Sequence, residues 1–481
     1  MLLGLDLGTS SVKALLLDEG GAVFGEGSAS YAVRAPRPGW AESAPENWWA
    51  AVLEATDAAV GRRGTEVTAL GLSGQMHGVV LADGLGFPLR PAVLWADARS
   101  GAQLAAYRRL DEDLGRRLAN PLAVGMVGPS LLWLRDQEPD AYASARWALQ
   151  PKDWLRMRMT GEAATEPSDA SATLLYDLLA DDWSYAAAED LGLRAELLAP
   201  LLPSAGVAGT LEGEAAGNLG LREGLPVAAG AADTAAAMLG TGLLRPGPVQ
   251  LTVGTGGQVV TPKEEPDPHG RTHLYRAAVP GLWYSMAAVQ NAGLALEWVR
   301  RVLGASWNDV YEEAFAVPPG SGGVTFLPYL SGERTPRFDP GARGAWTGLG
   351  LDHTRGHLLR AALEGVAFAL REALEALEDQ GTLAPELRLA GGGTRGGSGE
   401  PWRQLLADVL GRPLWLLPDE ISSVASARGA AFLAGLASGI YPTAEDTLPL
   451  TPEPESHIRP GETAYEPAYI RYKQLYPRLH S

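Results

Sequence analysis

The sequence contains no cysteine, which excludes disulfides, thiolate nucleophiles and cysteine-based zinc sites. Basic residues are in deficit: 39 Lys and Arg stand against 57 Asp and Glu, a formal net charge of -18. Nucleic acid and anionic membrane surfaces need clustered Lys and Arg, so neither is expected as a partner. Lysine itself is rare, with four in the chain, and Asn is scarce. No apolar run reaches the length of a membrane-spanning helix, because Gly, Arg or Asp interrupts each one within a few residues. Met1-Leu2-Leu3-Gly4-Leu5-Asp6 carries no basic segment ahead of a long apolar one, so no secretory signal is expected. A cytoplasmic protein is the resulting expectation.

What is present is an ordinary globular balance, 46% apolar and 20% charged. A chain of 481 residues is too long for one hydrophobic core, so at least two domains are expected. Alternation around Leu3, Leu5 and Leu7 leads into a Gly-Thr-Ser turn. The run Val12 to Leu17, the turn Asp18-Glu19-Gly20-Gly21 and the restart at Ala22 read as a β-hairpin. Ser43-Ala44-Pro45-Glu46 fits a capping box opening a helix with Trp48, Trp49, Val52, Leu53 and Val60 on its apolar face. Val67 to Leu72 follows as a buried strand, so strands and helices alternate, as in an α/β architecture. A Gly- and Pro-rich stretch from Gly240 to Pro248 reads as a linker. Just beyond it, Leu251-Thr252-Val253-Gly254-Thr255-Gly256 echoes Leu5-Asp6-Leu7-Gly8-Thr9-Ser10, an apolar strand feeding a Gly-Thr turn at the head of each half. His357 to Asp379 is the clearest helix, with Gly381 past its end, and Pro442 to Pro460 reads as a loop before a last helix ending near Tyr476.

Four places combine small residues with polar groups. In Asp6-Leu7-Gly8-Thr9-Ser10-Ser11, with Lys13 beyond, a tight turn can present donors to phosphate oxygens, and a carboxylate at a strand end can hold magnesium through water. The same residues also suit a plain hairpin turn. The pattern is neither a Walker A loop nor a GxGxxG fingerprint. Gly254-Thr255-Gly256-Gly257 repeats the first motif, and Gly391-Gly392-Gly393-Thr394 at a strand-to-helix junction leaves room for a flat ring or makes a flexible loop. The fourth is a pair, Ser73-Gly74-Gln75-Met76-His77-Gly78 and Ala229-Gly230-Ala231-Ala232-Asp233-Thr234, each after an apolar strand. Asp233, in small apolar company, reads as a helix N-cap, as a catalytic base, or as both.

In this order the motifs resemble the FGGY family of carbohydrate kinases, from Leu3 to about Ala437. The specific pieces are Gly4 to Ser10, Pro38-Gly39-Trp40-Ala41-Glu42, Gly74 to Gly78, Leu94-Trp95-Ala96-Asp97-Ala98-Arg99 and Leu149-Gln150-Pro151-Lys152-Asp153-Trp154-Leu155. They continue with Phe326 to Pro336, Gly391 to Gly393, and Gly344 to Leu349 followed after a spacer by His357 to Glu364. The resemblance implies an α/β fold of two actin-like, ribonuclease H-like domains, 1–244 binding sugar and phosphate and 245–481 binding nucleotide, with ATP and magnesium in the cleft between them. Asp6 would meet the magnesium, with Thr9, Ser10, Ser11 and Lys13 on the phosphates. Gly254, Thr255 and Gly256 would embrace the phosphates from the other side, and Gly391, Gly392 and Gly393 would line the nucleotide. Gln75, Met76, His77 and Trp95 would contact the sugar, and Asp233 would be the general base. The Gln75 to Gly78 loop matches members acting on D-xylulose rather than glycerol. The implied partner is therefore a small ketose, and a homodimer is left open.

Three departures stand out: Ser130 where the first family signature has Lys, Thr234 where D-xylulose-type members have Asn, and a glycine loop lengthened through Gly396-Gly397-Ser398-Gly399-Glu400-Pro401. Thr234 bears on the substrate, so an acceptor such as ribulose, gluconate or glycerol is the rival within the family. A nucleotide-switch protein of the same fold needs neither a base carboxylate nor a sugar loop.

Overall fold

The structure is a computed structural model of the whole chain and describes all residues except 269–270, 395–398, 452, 463–464 and 481. Two seven-stranded sheets organise it. The first runs Val207–Thr210, Pro226–Ala228, Ala69–Gly74, Leu2–Leu7, Ser11–Leu17, Val23–Ser30, with Ala231–Ala232 also pairing with Ala69–Gly74. The second runs His273–Arg276, Trp283–Val289, Gly257–Lys263, Val249–Val253, Leu387–Ala390, Leu414–Leu416, Ser456–Ile458.

The two orders repeat one scheme. In each, an antiparallel meander, of three strands in the first sheet and four in the second, continues through two parallel strands to an antiparallel edge. Leu2–Leu7 corresponds to Val249–Val253, so the echo read in the sequence marks the same turn in each sheet. Parallel neighbours need crossovers, and long segments containing helices supply them.

Leu3, Leu5 and Leu7 pack with Trp48, Val52 and Ala55 of the helix Pro45–Val60. The opposite face is covered from the far end of the chain by the helix Ala425–Ala437, which packs with Asp233–Gly240. The approach is at backbone contact: a Cβ at Gly4 would lie 1.9 Å from the Ala427 carbonyl oxygen, and one at Gly71 2.0 Å from that of Ala430. The second sheet is crossed by the long helix Arg355–Glu378, buried along most of its length.

Several local readings shift. Ser43 pairs with Ala92 in a short strand instead of capping, and Pro45 itself starts the helix from an uncapped Ala44. The buried strand lies at Ala69–Gly74, two residues later than the apolar run read from the sequence. The tail is not all loop, because Ala444–Leu450 forms a 3-10 helix and Ser456–Ile458 closes the edge of the second sheet. Residues 396–398 of the lengthened glycine loop lie outside the described residues.

Gly4→Ala is expected to destabilise the chain by at least ~2 kcal/mol, because the helix backbone has no room to yield. A urea unfolding midpoint unchanged from the unsubstituted chain would contradict that packing.

Candidate active site

Asp6 and Asp233 reach one cleft from opposite sides of the strand Ala69–Gly74. Asp6 is paired in parallel register with Ser73, whose hydroxyl donates to Asp6 Oδ1 at 2.9 Å, while Ala231 and Ala232 pair with Ser73 and Gly74 on the other edge. Both carboxyls line one cavity with Lys13, Thr252, Gln258 and Ser423, drawn from both halves of the chain. Lys13 faces Asp6 across the antiparallel pair and donates to the Ser423 carbonyl at 2.6 Å. Asp233 is the first residue of its helix and does not cap it. Its Oδ1 accepts from the Thr234 amide at 2.5 Å and the Thr234 hydroxyl at 3.1 Å, and no described residue donates to Oδ2. Burial, and then the nearby Asp6 charge, push the Asp233 carboxyl up to about 7 against those two hydrogen bonds. Burial also raises Asp6, with Ser73 and Lys13 pulling the other way.

Each Gly-Thr turn is closed by a backbone hydrogen bond from its first glycine, spanning three residues in the first and two in the second. The Gly8 amide donates to the Ser11 carbonyl at 3.0 Å and the Gly254 amide to the Gly256 carbonyl at 2.9 Å. Among the described residues, the amides of Thr9, Ser10, Thr255 and Gly256 have no backbone acceptor. Consecutive free amides of this kind form an anion-binding concavity. The Thr255 carbonyl is occupied by the Leu294 amide at 2.9 Å, which fixes the second turn to the start of the helix Gly293–Val302. Gly391 has φ +99°, and a Cβ there would lie 2.4 Å from the Val253 oxygen. The Gly391–Gly393 run therefore lies directly against the strand that feeds the second turn. Neither glycine segment lines the Asp6–Asp233 cavity, although Ala390 does.

Gln75, Trp95 and Thr9 meet at the first turn. Gln75 Nε2 donates to the Gly8 carbonyl at 3.3 Å, Trp95 Nε1 to Thr9 Oγ1 at 2.9 Å, and the Tyr31 hydroxyl also donates to Gly8. Ser10 is exposed at the tip and Ser11 opens the next strand. Met76 is buried, its sulfur 3.9 Å from the Tyr284 hydroxyl of the second sheet. His77 takes a left-handed φ of 71°, with its amide on Gln150 Oε1 at 3.0 Å and Nδ1 donating to the Ala172 carbonyl at 2.7 Å. Burial lowers its pKa to about 4, so the ring is neutral and Nε2 is an acceptor.

Two further clusters support these residues. Trp95 stands on a platform in which Asp97 accepts from the Ala41 amide at 2.6 Å and pairs with Arg99, which also pairs with Glu42 and lies 3.5 Å over Trp40. Beneath Gly74, fully buried Lys152 contacts Asp153 at 2.7 Å, Asp169 at 2.8 Å and Glu166 at 3.3 Å. Ser168, hydrogen-bonded to Glu166, accepts the Ala232 amide at 2.9 Å, which ties this cluster to the residue before Asp233. Burial opposes the Lys152 charge, but Asp153, Asp169 and Glu166 outweigh it and raise its pKa. The sequence signal was a Lys beside an Asp in a chain with little Lys. The Ser422, Ser423 and Ser426 lining was missed, although Ser426 donates to the Asp233 carbonyl at 3.0 Å.

Residues 1–240 match the N-terminal domain of the FGGY family of carbohydrate kinases, and residues 249–438 match its C-terminal domain. The chain is 35% identical to a xylulose kinase of Escherichia coli (strain K12), covering 100% of this chain and 99% of that one. It is 33% identical to a xylulose kinase of Bacillus subtilis (strain 168), over 98% and 95%. A solved xylulose kinase from Rhodospirillum rubrum superposes with a TM-score of 0.88 at 31% identity, over 100% and 99%. The chain belongs to the FGGY family of carbohydrate kinases, phosphotransferases built on the actin-like ATPase fold. Among the described residues, no helix is long and apolar enough to cross a membrane.

Asp233 is expected to titrate near pH 7, read by difference infrared spectroscopy, and Asp6→Asn is expected to move it toward the ordinary carboxylate range. Folding raises this pKa, so its contribution favours the folded state fully below pH ~4 and is lost as pH rises through about 7. A midpoint below about 5 in the unsubstituted chain would contradict the geometry. Lys152→Met strands three buried acids and is expected to cost about 3–5 kcal/mol in denaturant unfolding. A loss under ~1 kcal/mol would show that the cluster contributes little.

Proposed function

We propose that this kinase transfers the terminal phosphoryl group of ATP to the C5 hydroxyl of D-xylulose, in the cytoplasm, with Asp233 as the base. The observation that carries this reading is an Asp233 carboxyl tied on one oxygen by Thr234, open on the other, and held near neutral pKa. A base tuned close to working pH combines a useful ionised fraction with real proton affinity. Its free oxygen takes the proton of the attacking hydroxyl. Met76 and His77, with Gln75 and Trp95 behind them, hold the sugar, the neutral His77 accepting a hydroxyl at Nε2. The matches to xylulose kinases over nearly their full length support D-xylulose as the acceptor.

Phosphoryl transfer asks the protein for alignment and charge neutralisation. Thr9, Ser10, Ser11 and Lys13 receive the phosphates from one side, Gly254, Thr255 and Gly256 from the other. Gly391 to Gly393 give the nucleotide base a wall without side chains. On this reading 1–244 carries the sugar and first phosphate turn, and 245–481 the nucleotide. Among the described residues no cluster of three or more acidic or His side chains forms an all-protein metal cage. Magnesium does not need one, since it binds through one or two carboxylates plus phosphates and keeps its waters. Asp6 and Asp233 fit that requirement, because the repulsion between them favours a cation beside Asp6. Magnesium, when bound, offsets the charge on the phosphates.

Asp233→Asn keeps the shape but cannot accept the proton. Turnover is expected to fall at least ~10²-fold while sugar and ATP affinities by calorimetry change little. Asp6→Asn should also lose turnover, in part restored by added magnesium, whereas the Asp233→Asn deficit should not respond. In a coupled-ADP panel of ketoses, polyols and aldonates, D-xylulose should give the highest kcat/KM. Near-normal turnover of Asp233→Asn would remove the base, and a better glycerol, gluconate or ribulose would replace the acceptor.

A further inference from the structure

Arg334 lies in the segment Phe326 to Pro336. It extends from the second half of the chain toward the sugar loop of the first. Its backbone is rigidly held: its amide donates to Glu333 Oε1 at 2.7 Å, and Glu333 Oε1 also accepts the Gln290 amide at 2.8 Å. The next residue, Thr335, is bonded both ways to Ala288 of the strand Trp283–Val289, at 2.9 and 3.2 Å. From that anchor the guanidinium stands 5.2 Å over the ring of Trp95, whose indole N–H is on Thr9.

The guanidinium is half-buried, yet among the described residues it forms no ion pair and donates no side-chain hydrogen bond. The contrast with other enclosed arginines is sharp. Arg99 holds Asp97 and Glu42, Arg156 holds Asp153, Arg360 holds Glu364 and Arg337 holds Glu372. Burial opposes the Arg334 charge, with partial compensation from Tyr275 and Glu333. A cation enclosed without hydrogen-bond acceptors is costly, and a ligand that supplies them removes the cost.

Its electrostatic neighbours locate it within the acceptor site. Arg334 bears on His77, His273 and Tyr275 but not on Asp233, which is acted on by Asp6 and itself reaches Tyr275. His77 and Tyr275 rings are 5.9 Å apart, and His273 stacks on Tyr275 at 5.6 Å. The Tyr275 hydroxyl and both His273 nitrogens are buried with no partner. The cation thus sits beside the sugar loop, on Trp95 and within reach of His77, while Tyr275 feels both it and the base.

We propose that Arg334 is a specificity-determining residue, contributed across the cleft, whose forked N–H groups bind the C2 carbonyl and C1 hydroxyl of the ketose, the end remote from the phosphorylated hydroxyl. A planar fork matches two adjacent oxygens, which a point charge does not. The assignment rests on the acceptor reading above.

Arg334→Met is expected to raise KM for D-xylulose about 10–100-fold, the usual cost of losing charge-assisted hydrogen bonds. kcat should change by less than about 3-fold, and KM for ATP and the apparent pKa of kcat/KM should not move. The unsubstituted enzyme should prefer D-xylulose over 1-deoxy-D-xylulose, and Arg334→Met should lose that preference. Should Arg334→Met fail to fold in a thermal melt, Arg334→Lys decides, with KM for D-xylulose raised about 10-fold. An unchanged sugar KM, a loss falling on kcat or on ATP, or a preserved preference for the C1 hydroxyl overturns the assignment alone. If the unsubstituted chain does not phosphorylate D-xylulose, the acceptor reading falls and this assignment with it.

Discussion

Asp6 near the end of one strand and Asp233 just past the end of another, strands that pair with opposite edges of Ala69–Gly74, are brought by the fold itself into one partly desolvated cleft. Neither has a buried salt-bridge partner strong enough to cancel burial: Lys13 faces Asp6 but spends a hydrogen bond on Ser423. The repulsion is left partly unresolved, and the chemistry proposed above depends on it. Burial first, and then this repulsion, keep a proton acceptor near neutral pKa and make the site a place where a cation and its phosphates are welcome. An arginine placed beside Asp233 would lower that pKa and weaken the base.

Holding such a pair demands rigidity beneath it. The Lys152 cluster sits directly below Gly74, and Ser168 passes its hydrogen bonds to Ala232, so the position of Asp233 is set by a fully buried charged group. Above, the helix Ala425–Ala437 returns from the end of the chain and presses its carbonyls onto Gly4 and Gly71. Ser423, just before it, accepts from Lys13, and Ser426 in its first turn donates to the Asp233 carbonyl. The first sheet is thereby covered by residues that follow six of the seven strands of the second sheet in sequence.

Much of this was legible in the sequence where local rules govern. The hairpin after Leu17, the long helix near Arg355–Glu378 and the strand Leu387–Ala390 follow from alternation, helical spacing and turn glycines. The Gly-Thr echo located equivalent turns in two sheets of the same order. What was not legible depends on tertiary contact. Ser43 had every local sign of a cap, but pairing with Ala92 claims its backbone and the helix starts on Pro45 instead. Asp233 had the composition of an N-cap, but its carboxylate turns back on Thr234. Ser423 and Ser426 show no motif, since their meaning comes from a helix that crosses to the other sheet. Arg334 could be seen as part of a motif, but its unpaired state required the surrounding distances.

The central claim is that the cleft moves a phosphoryl group onto one particular hydroxyl, the one whose proton Asp233 takes. Phosphorus NMR of the reaction of ATP with D-xylulose, with coupling to the sugar protons resolved, tests this most directly. The account requires a single phosphate ester whose phosphorus couples to the C5 protons, formed in step with ADP. Inorganic phosphate in place of an ester, or phosphorus coupled to the C1 protons, would contradict it.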